Sequence, residues 1–509
     1  MNFLYKNQIN ILFFFLIFYT QIFSPVISDD WYFHYNYNDF MPDRPLSSFL
    51  IIKIHQLINK DFIFDGFKFF KMLYLFLAYL FLYKFYSLIL NKEYSQFFSF
   101  FTIFYPIHDS ANYQIWFIGH LLVMIIPLFS YYLLLNDQKY KAYFLFGISS
   151  FISYSSLPSQ FSIIIEKFKN KFFLRAFFLC FLLATYIVYY FLIVFYFNIG
   201  NSVNRIGVGL EKDYLKIIYN IVSIKNIAIH LITFIDVLFG PSHFLKIYLA
   251  VKNNSLISLI LSIFLTYYIF LLLRKNIFKF DMIYFKKCFF IVALSLIFAQ
   301  ILFIITTKFI NIPFGLGNRT NIYTSLFVAL VFIFTINFFN KKILISIIFL
   351  FFLCFFGNLN YWKKTNSEIE LIKNEIINLS NNYKDQTILL KNIEYINIFQ
   401  FKHIELFNDQ SYLDNFIRSN KIETNNNYFY ILKDIEIKKY ENIEKILIYD
   451  FKNKNILLIN NYNELFENYK NYRDFYTNRH WIQMINFSYF YFLLPEHYMD
   501  KFINLTKKI

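Results

Sequence analysis

Asp29 and Asp30 stand side by side in "SPVISDDWYFHYNYNDF", directly after the first apolar run of the chain. They form the only adjacent Asp pair in a sequence with 33 acidic against 49 basic residues. Neighbouring carboxylates repel each other and gain nothing from an apolar phase. A polar task is therefore the natural reason for them, and a carboxylate held in place can take a proton as a general base. Side chains of consecutive residues in extended chain point opposite ways. One of the two is thus expected to face a common site, and Asp30, further from the apolar run, is expected to be that one.

Other reactive residues fall in loops further along. Asp43 and Arg44 precede Pro45, His108 and Asp109 follow a short apolar run, and Arg205 and Arg319 lie in two later loops. A His with carboxylates from two loops suits a divalent cation such as Mg²⁺ or Mn²⁺. Asp109 or Ser110 suits equally the N-cap of the helix that follows, and a solvated loop accounts for any one of these residues taken singly. Arginine forks suit a phosphate oxyanion, so Arg319, with Arg205, is expected to meet a departing phosphate. His120 and His230, inside apolar runs, read as packing residues. Cys180, Cys288 and Cys354 have no C-x-x-C spacing and predict neither a disulfide framework nor a zinc site. The glycosylation sequons at Asn318, Asn378, Asn486 and Asn504 are the chance product of an Asn-rich chain and are set aside.

The elements that position these residues are membrane helices. Of 509 residues, 58% are hydrophobic and 16% charged, against roughly 25% charged in a soluble domain. Mean hydropathy is +0.43. Many apolar runs reach the length of about 18 residues that crosses a bilayer. The fold expected is mainly α and polytopic, with 11 to 13 membrane segments. The net charge of +16 is spread between the apolar runs, which fits topological loops and argues against a nucleic-acid partner. The many Phe and Tyr carry the mark of an AT-rich coding bias, so no single aromatic is given weight.

Runs at 9–27, 72–90, 97–107, 115–135, 173–198, 255–273, 288–307, 322–340 and 343–360 read as spans. Residues 49–59 read as a helix in the interface plane. Residues 142–165 read as two short helices broken at Pro158, and 226–250 as a re-entrant element interrupted by "GPSH". Lys and Arg place the amino terminus and the loop "RKNIFKFDMIYFKK" inside. The loops with Asp29, Asp30, Asp43, Arg44, His108, Asp109, Arg205 and Arg319 then lie outside. Tyr361 and Trp362 read as an aromatic anchor at the exit of the last span. Residues 1–362 thus form a transmembrane domain with outer catalytic loops. From 363 to 509 the charge rises. "KKTNSEIELIKNEIINLSNNY" reads as an amphipathic helix, and "QTILLKNIEYINI", "NYFYILKDIEI" and "EKILIYDFKNKNILLIN" read as strands. This is a small extracytoplasmic α/β domain.

A first span followed at once by "SDDWYF", an in-plane helix, many spans, a late loop with an Arg and an outer C-terminal domain resembles the C-type (GT-C) superfamily of integral-membrane glycosyltransferases. "DDW" followed by "DRPLSSFL" is similar to the "DD…GRP" loop of the O-antigen glucosyltransferase-like (Gtr-type) branch, with Asp43 where that branch often has Gly. The resemblance covers the whole chain in architecture and residues 28–50 in motif. It implies inverting transfer of a sugar from a polyprenyl-phosphate donor to an extracytoplasmic glycan, lipid or protein, with one Asp as base. It also implies a place in a bacterial cytoplasmic membrane and a role in cell-envelope polysaccharide or lipopolysaccharide modification. Two rivals remain. A polysaccharide polymerase or ligase would use a lipid-diphosphate donor and Arg-rich outer loops. A transporter would place ionisable residues at mid-bilayer and break its helices at matched positions.

Overall fold

The computed structural model describes residues 7–27, 30, 44–58, 63–114, 120–192, 222–274, 278–306, 313–338, 342–398, 401–407, 410–424, 426–432, 435 and 446–470. Two compact units divide the chain. One comprises 1–24, 37–313 and 317–360, the other 25–36, 314–316 and 361–509.

The first unit is built of helices. They begin with α1 (Gln8–Ile22), α2 (Pro45–Leu57), α3 (Ile63–Tyr86) and α4 (Lys92–Phe104). A 3₁₀ turn (Pro106–His108) and the one-turn α5 (Asp109–Tyr113) follow, then α6 (His120–Leu135) and α7 (Lys139–Ile152). Next come α8 (Leu157–Lys169), α9 (Phe173–Tyr190), α10 (Ile224–Phe239), α11 (Pro241–Lys252), α12 (Leu256–Arg274), α13 (Met282–Thr306) and α14 (Ile322–Phe338). The 41-residue α15 (Lys342–Asn382) runs from this unit into the second.

Among the described residues six helices are long and apolar enough to cross a membrane. A seventh span results if α10 and α11, bent by 42° at Gly240, count as one. This is a multi-pass helical membrane protein. Among the described residues several apolar runs fold into helices too short to cross. α4 and α8 have 13 residues each and α1 has 15, about 20 Å of rise against a hydrocarbon core of about 30 Å. α1 stops at Ile22 rather than near 27 because Pro25 cannot continue a helix and disfavours helical backbone before it.

Aromatic rings hold the bundle together, contrary to the low weight given them from sequence. Phe13 of α1 stacks on Phe100 of α4 with centroids 4.2 Å apart, and Phe100 meets Phe351 and Phe355 of α15. α3 packs between α4 and α6. The break in 142–165 is real but falls at Ser153–Ser156, so Pro158 opens α8 instead of ending α7. Hydroxyls satisfy the exposed backbone there. Ser153 Oγ accepts from the Ser155 N–H, and Ser156 Oγ donates to the Ser153 carbonyl. Asn254 Nδ2 donates to the Leu353 carbonyl at 2.8 Å, clipping the α11–α12 loop to α15. Gly357 is the contact point, since a Cβ there would overlap the Ala250 carbonyl.

The second unit contains the far half of α15, then β1 (Thr387–Lys391), the hairpin β2 (Tyr395–Ile398) and β3 (Phe401–Glu405), α16 (Gln410–Ser419), β4 (Tyr428–Ile431), β5 (Ile446–Asp450) and β6 (Asn455–Ile459). The sheet order is β4-β1-β5-β6, with β1 parallel to β4 and β5 and β6 antiparallel to β5. Its core gathers Leu389, Leu432, Ile446, Ile448 and Ile459. Two expectations are corrected. The predicted amphipathic helix at 363–383 is the continuation of the last span. Trp362, expected as an interface anchor, is fully buried, with its ring edge-on to Tyr361 and His403.

Candidate functional site

α4 ends at Phe104 because Tyr105 is extended and Pro106 starts a new turn. The break frees carbonyls inside the bundle, and local side chains answer them. His108 Nε2 and Asn112 Nδ2 both donate to the Ile103 carbonyl, each at 2.7 Å. A carbonyl can only accept, so Nε2 carries the hydrogen. Nδ1 then accepts from the Ser325 hydroxyl of α14 at 2.7 Å. Burial pushes the His108 imidazole down to about 4, against the opposing pull of the Ile103 carbonyl and the Asp109 carboxylate. The ring is therefore neutral near pH 7.

Asp109 is buried and forms an ion pair with Lys246 of α11, Oδ2 to Nζ 3.1 Å, in which both side chains are sealed from solvent. Its Oδ1 accepts from Asn318 Nδ2 at 2.6 Å. Asn318 Oδ1 accepts in turn from the Ser110 N–H at 3.2 Å and from the Ser110 hydroxyl. Lys71, buried on α3, donates to the Ala111 carbonyl of α5. Gln21 of α1 donates to the Asn112 carbonyl at 3.2 Å. Tyr105 lends its hydroxyl to His243 Nε2 at 2.8 Å, while His243 Nδ1 donates to the Val237 carbonyl across the bend in α10–α11. Four helices, α1, α3, α4 and α11, and the 3₁₀ turn Leu316–Asn321 thus converge on the short helix α5. Its own Ser110 and Asn112 are buried, as are the polar neighbours Gln114, Asn318 and Asn321.

The structure brings together the two loops that carry His108–Asp109 and Arg319. Arg319 is half-buried and follows Asn318, the partner of Asp109. Asp30 is buried in the second unit, in a tight turn: its Oδ2 accepts from the Ile27 N–H and its own N–H donates to the Ile27 carbonyl, both at 2.9 Å. Arg44 starts α2, and its guanidinium lies 5.8 Å from the Tyr154 ring centre. Asp29, Asp43 and Arg205 lie outside the described residues.

Asp109 does not serve as an N-cap, because its carboxylate turns to Lys246 and Asn318. Both ring nitrogens of His108 have protein partners, and among the described residues no three His, Cys, Asp or Glu gather as a cation site. Sequence reasoning missed Lys246, Lys71 and Asn318. A lone Lys inside the apolar "HFLKIYLAVK" was a usable signal, since a charge at that depth needs a partner. Asn318 had been set aside as a chance sequon and is fully buried instead. No family model matches the chain, and no curated protein or solved structure matches it either.

Proposed function

We propose that the chain is an integral-membrane glycosyltransferase that moves a sugar from a polyprenyl-phosphate donor to an acceptor outside a bacterial cytoplasmic membrane. The observation that carries this reading is the convergence of the Asp109 and Asn318–Arg319 loops on one buried polar centre, two parts of the chain expected on the same outer face. The resemblance of "SDDWYF" and its surroundings to the C-type superfamily supplies the reaction. Asp30, or Asp29 beside it, takes the proton of an acceptor hydroxyl. The hydroxyl oxygen bonds to the anomeric carbon as the bond from that carbon to the phosphate oxygen breaks. The sugar inverts, and polyprenyl phosphate departs with both electrons of the broken bond. Arg319, with Arg205, stabilises the developing oxyanion. The buried carboxylate of Asp30, tied to the Ile27 N–H, has the fixed position that a base requires. The proposal assigns no cation to His108 and Asp109.

Transfer from a polyprenyl-phosphate sugar, measured on the purified chain in liposomes, tests the reading. Asp30→Asn keeps the shape and removes the base, so the rate should fall roughly 10²–10⁴-fold while the protein remains folded. Full activity in Asp29→Asn, Asp30→Asn and the double variant would end it. A transporter is the second reading, favoured by the buried Asp109–Lys246 pair and the break at Gly240. Solute flux in the same liposomes without any transfer product would favour it.

A further inference from the structure

Burying an ion pair costs several kcal/mol per ion, which the attraction between the partners does not reliably return. The Asp109–Lys246 pair is therefore a poor device for stability alone. Lys71 adds a second buried ammonium group that reaches α5 from another helix. At the far end of α5, Gln114 is fully buried, and neither its amide nitrogen nor its amide oxygen has a hydrogen-bond partner. Asn112 Oδ1 is likewise buried without one. Unanswered buried polar atoms of this kind keep the full cost of leaving water unless something binds them. Lys246 also rides on α11, a separate 12-residue helix that begins at the bend. Its ammonium is thus carried by an element distinct from α10.

We infer that Lys246 and Lys71, with Gln114, form an anion subsite for a phosphate group, and that Asp109, itself held by Asn318, keeps Lys246 in place until the phosphate arrives. A phosphate offers several strong acceptors to ammonium and amide N–H groups. Hydroxyls of an attached sugar offer donors to Gln114 Oε1 and Asn112 Oδ1. Arg319, next to Asn318 in sequence, adds a planar fork beside it. The inference rests on the proposed function only for the lipid that carries the phosphate; the site itself is read by binding.

The test measures binding of polyprenyl phosphate to the purified full-length chain in detergent micelles, with inorganic phosphate as competitor. Asp109→Asn combined with Lys246→Gln removes both charges at once and leaves no orphan ion. Affinity should fall about 10- to 100-fold in the double variant, the loss expected for one charge-assisted contact, with the size-exclusion profile and a cooperative thermal transition retained. Displacement by inorganic phosphate would mark the headgroup alone as the ligand, and its failure would mark the phospholipid. Equal affinity in the double variant, or no binding of either probe by the wild type, overturns the site. If the double variant does not accumulate, wild-type protein is labelled with a polyprenyl phosphate bearing a diazirine near the headgroup. Tagging within 67–75, 106–114, 241–252 or 316–321 supports the site, and tagging confined elsewhere overturns it. A chain that binds through Lys246 but transfers no sugar would sink the proposed function and leave the site standing. Transfer with unchanged binding in the double variant would do the reverse.

Discussion

Removing one partner of the Asp109–Lys246 pair should damage the fold far more than removing both. The two charged atoms lie 3.1 Å apart, which at an effective dielectric of about 20 corresponds to roughly 5 kcal/mol of attraction. Desolvation of two buried ions offsets most of that in the native protein. A single substitution removes the attraction but leaves the other ion buried. Asp109→Asn takes the counter-charge from the Lys246 ammonium, and Lys246→Met takes it from the carboxylate, whose 2.6 Å bond from Asn318 stays. Each should cost about 3–5 kcal/mol. At roughly 2 °C per kcal/mol for a large domain, Tm should fall by about 6–10 °C.

The double variant Asp109→Asn/Lys246→Met strands neither ion, and Asn at 109 can still accept from Asn318. Its cost should be smaller than the sum of the single costs by at least about 2 kcal/mol, the upper range of coupling between contacting residues. Thermal unfolding in one detergent at pH 7, followed by tryptophan fluorescence and by size-exclusion profile, reads all four proteins. Additive single costs would refute the reasoning, because the two groups would then not share one buried interaction. Singles within 1 °C of wild type would refute it more directly, by showing that the pair is not buried.

Further outcomes follow from the same geometry. Gly357→Ala puts a Cβ against the Ala250 backbone, which cannot move aside as a side chain can; it should cost about 1–3 kcal/mol, visible as a lower Tm. Burial alone would raise the Asp450 carboxyl, but hydrogen bonds from Asn392 and from the Lys452 and Asn453 N–H groups, with Lys391 nearby, hold it below the usual carboxylate range. Its contribution is therefore complete above pH about 4 and lost as pH falls through the lowered native value, so Asp450→Asn should unfold earlier than wild type at pH 7, and the gap should narrow as pH falls below the usual carboxylate range. Arg319→Lys keeps the charge but not the fork, so transfer should fall in the order wild type, Lys, Ala; equal rates would remove Arg319 from the site. Single cysteines replacing Phe280 and Tyr430 should label from opposite sides of the membrane, and labelling from one side would overturn the assignment of loops.

Much of the bundle was legible in the sequence because hydropathy is a local property. The interruption at "GPSH" and the serine-rich break before Pro158 could be found within a few residues. The sheet was legible for the same reason: "EKILIYDFKNKNILLIN" carries two apolar strands around a polar turn, and the structure makes it β5, β6 and the turn between them. The continuity of α15 was not legible. The shift from apolar to charged residues near 362 reads as the end of a helix, yet no Pro or Gly falls between 358 and 382 to end it. The site was half legible. His108, Asp109 and Arg319 stood out as polar residues in loops, but their partners are defined only by folding. Asp109 meets Lys246 across 137 residues and Asn318 across 209.

The contrast between the two halves of the interior bears on what the polar centre is for. Over much of the rest of the first unit phenylalanine packs against phenylalanine, with one further buried ion pair, Glu166–Lys167, on α8. Around α5 the chain instead breaks a helix, spends hydrogen bonds of His108 and Asn112 on the freed Ile103 carbonyl, and buries two lysines and an aspartate. A bundle selected for stability alone would replace that cluster with more aromatic packing, since apolar residues of similar volume are often neutral or stabilising in place of a buried ion pair. Charges kept in such a place, beside amide groups with no partner, are better explained by a ligand that is itself charged and polar. That ligand would have to enter from the membrane or its surface to reach them. A phosphate carried on a lipid meets both conditions.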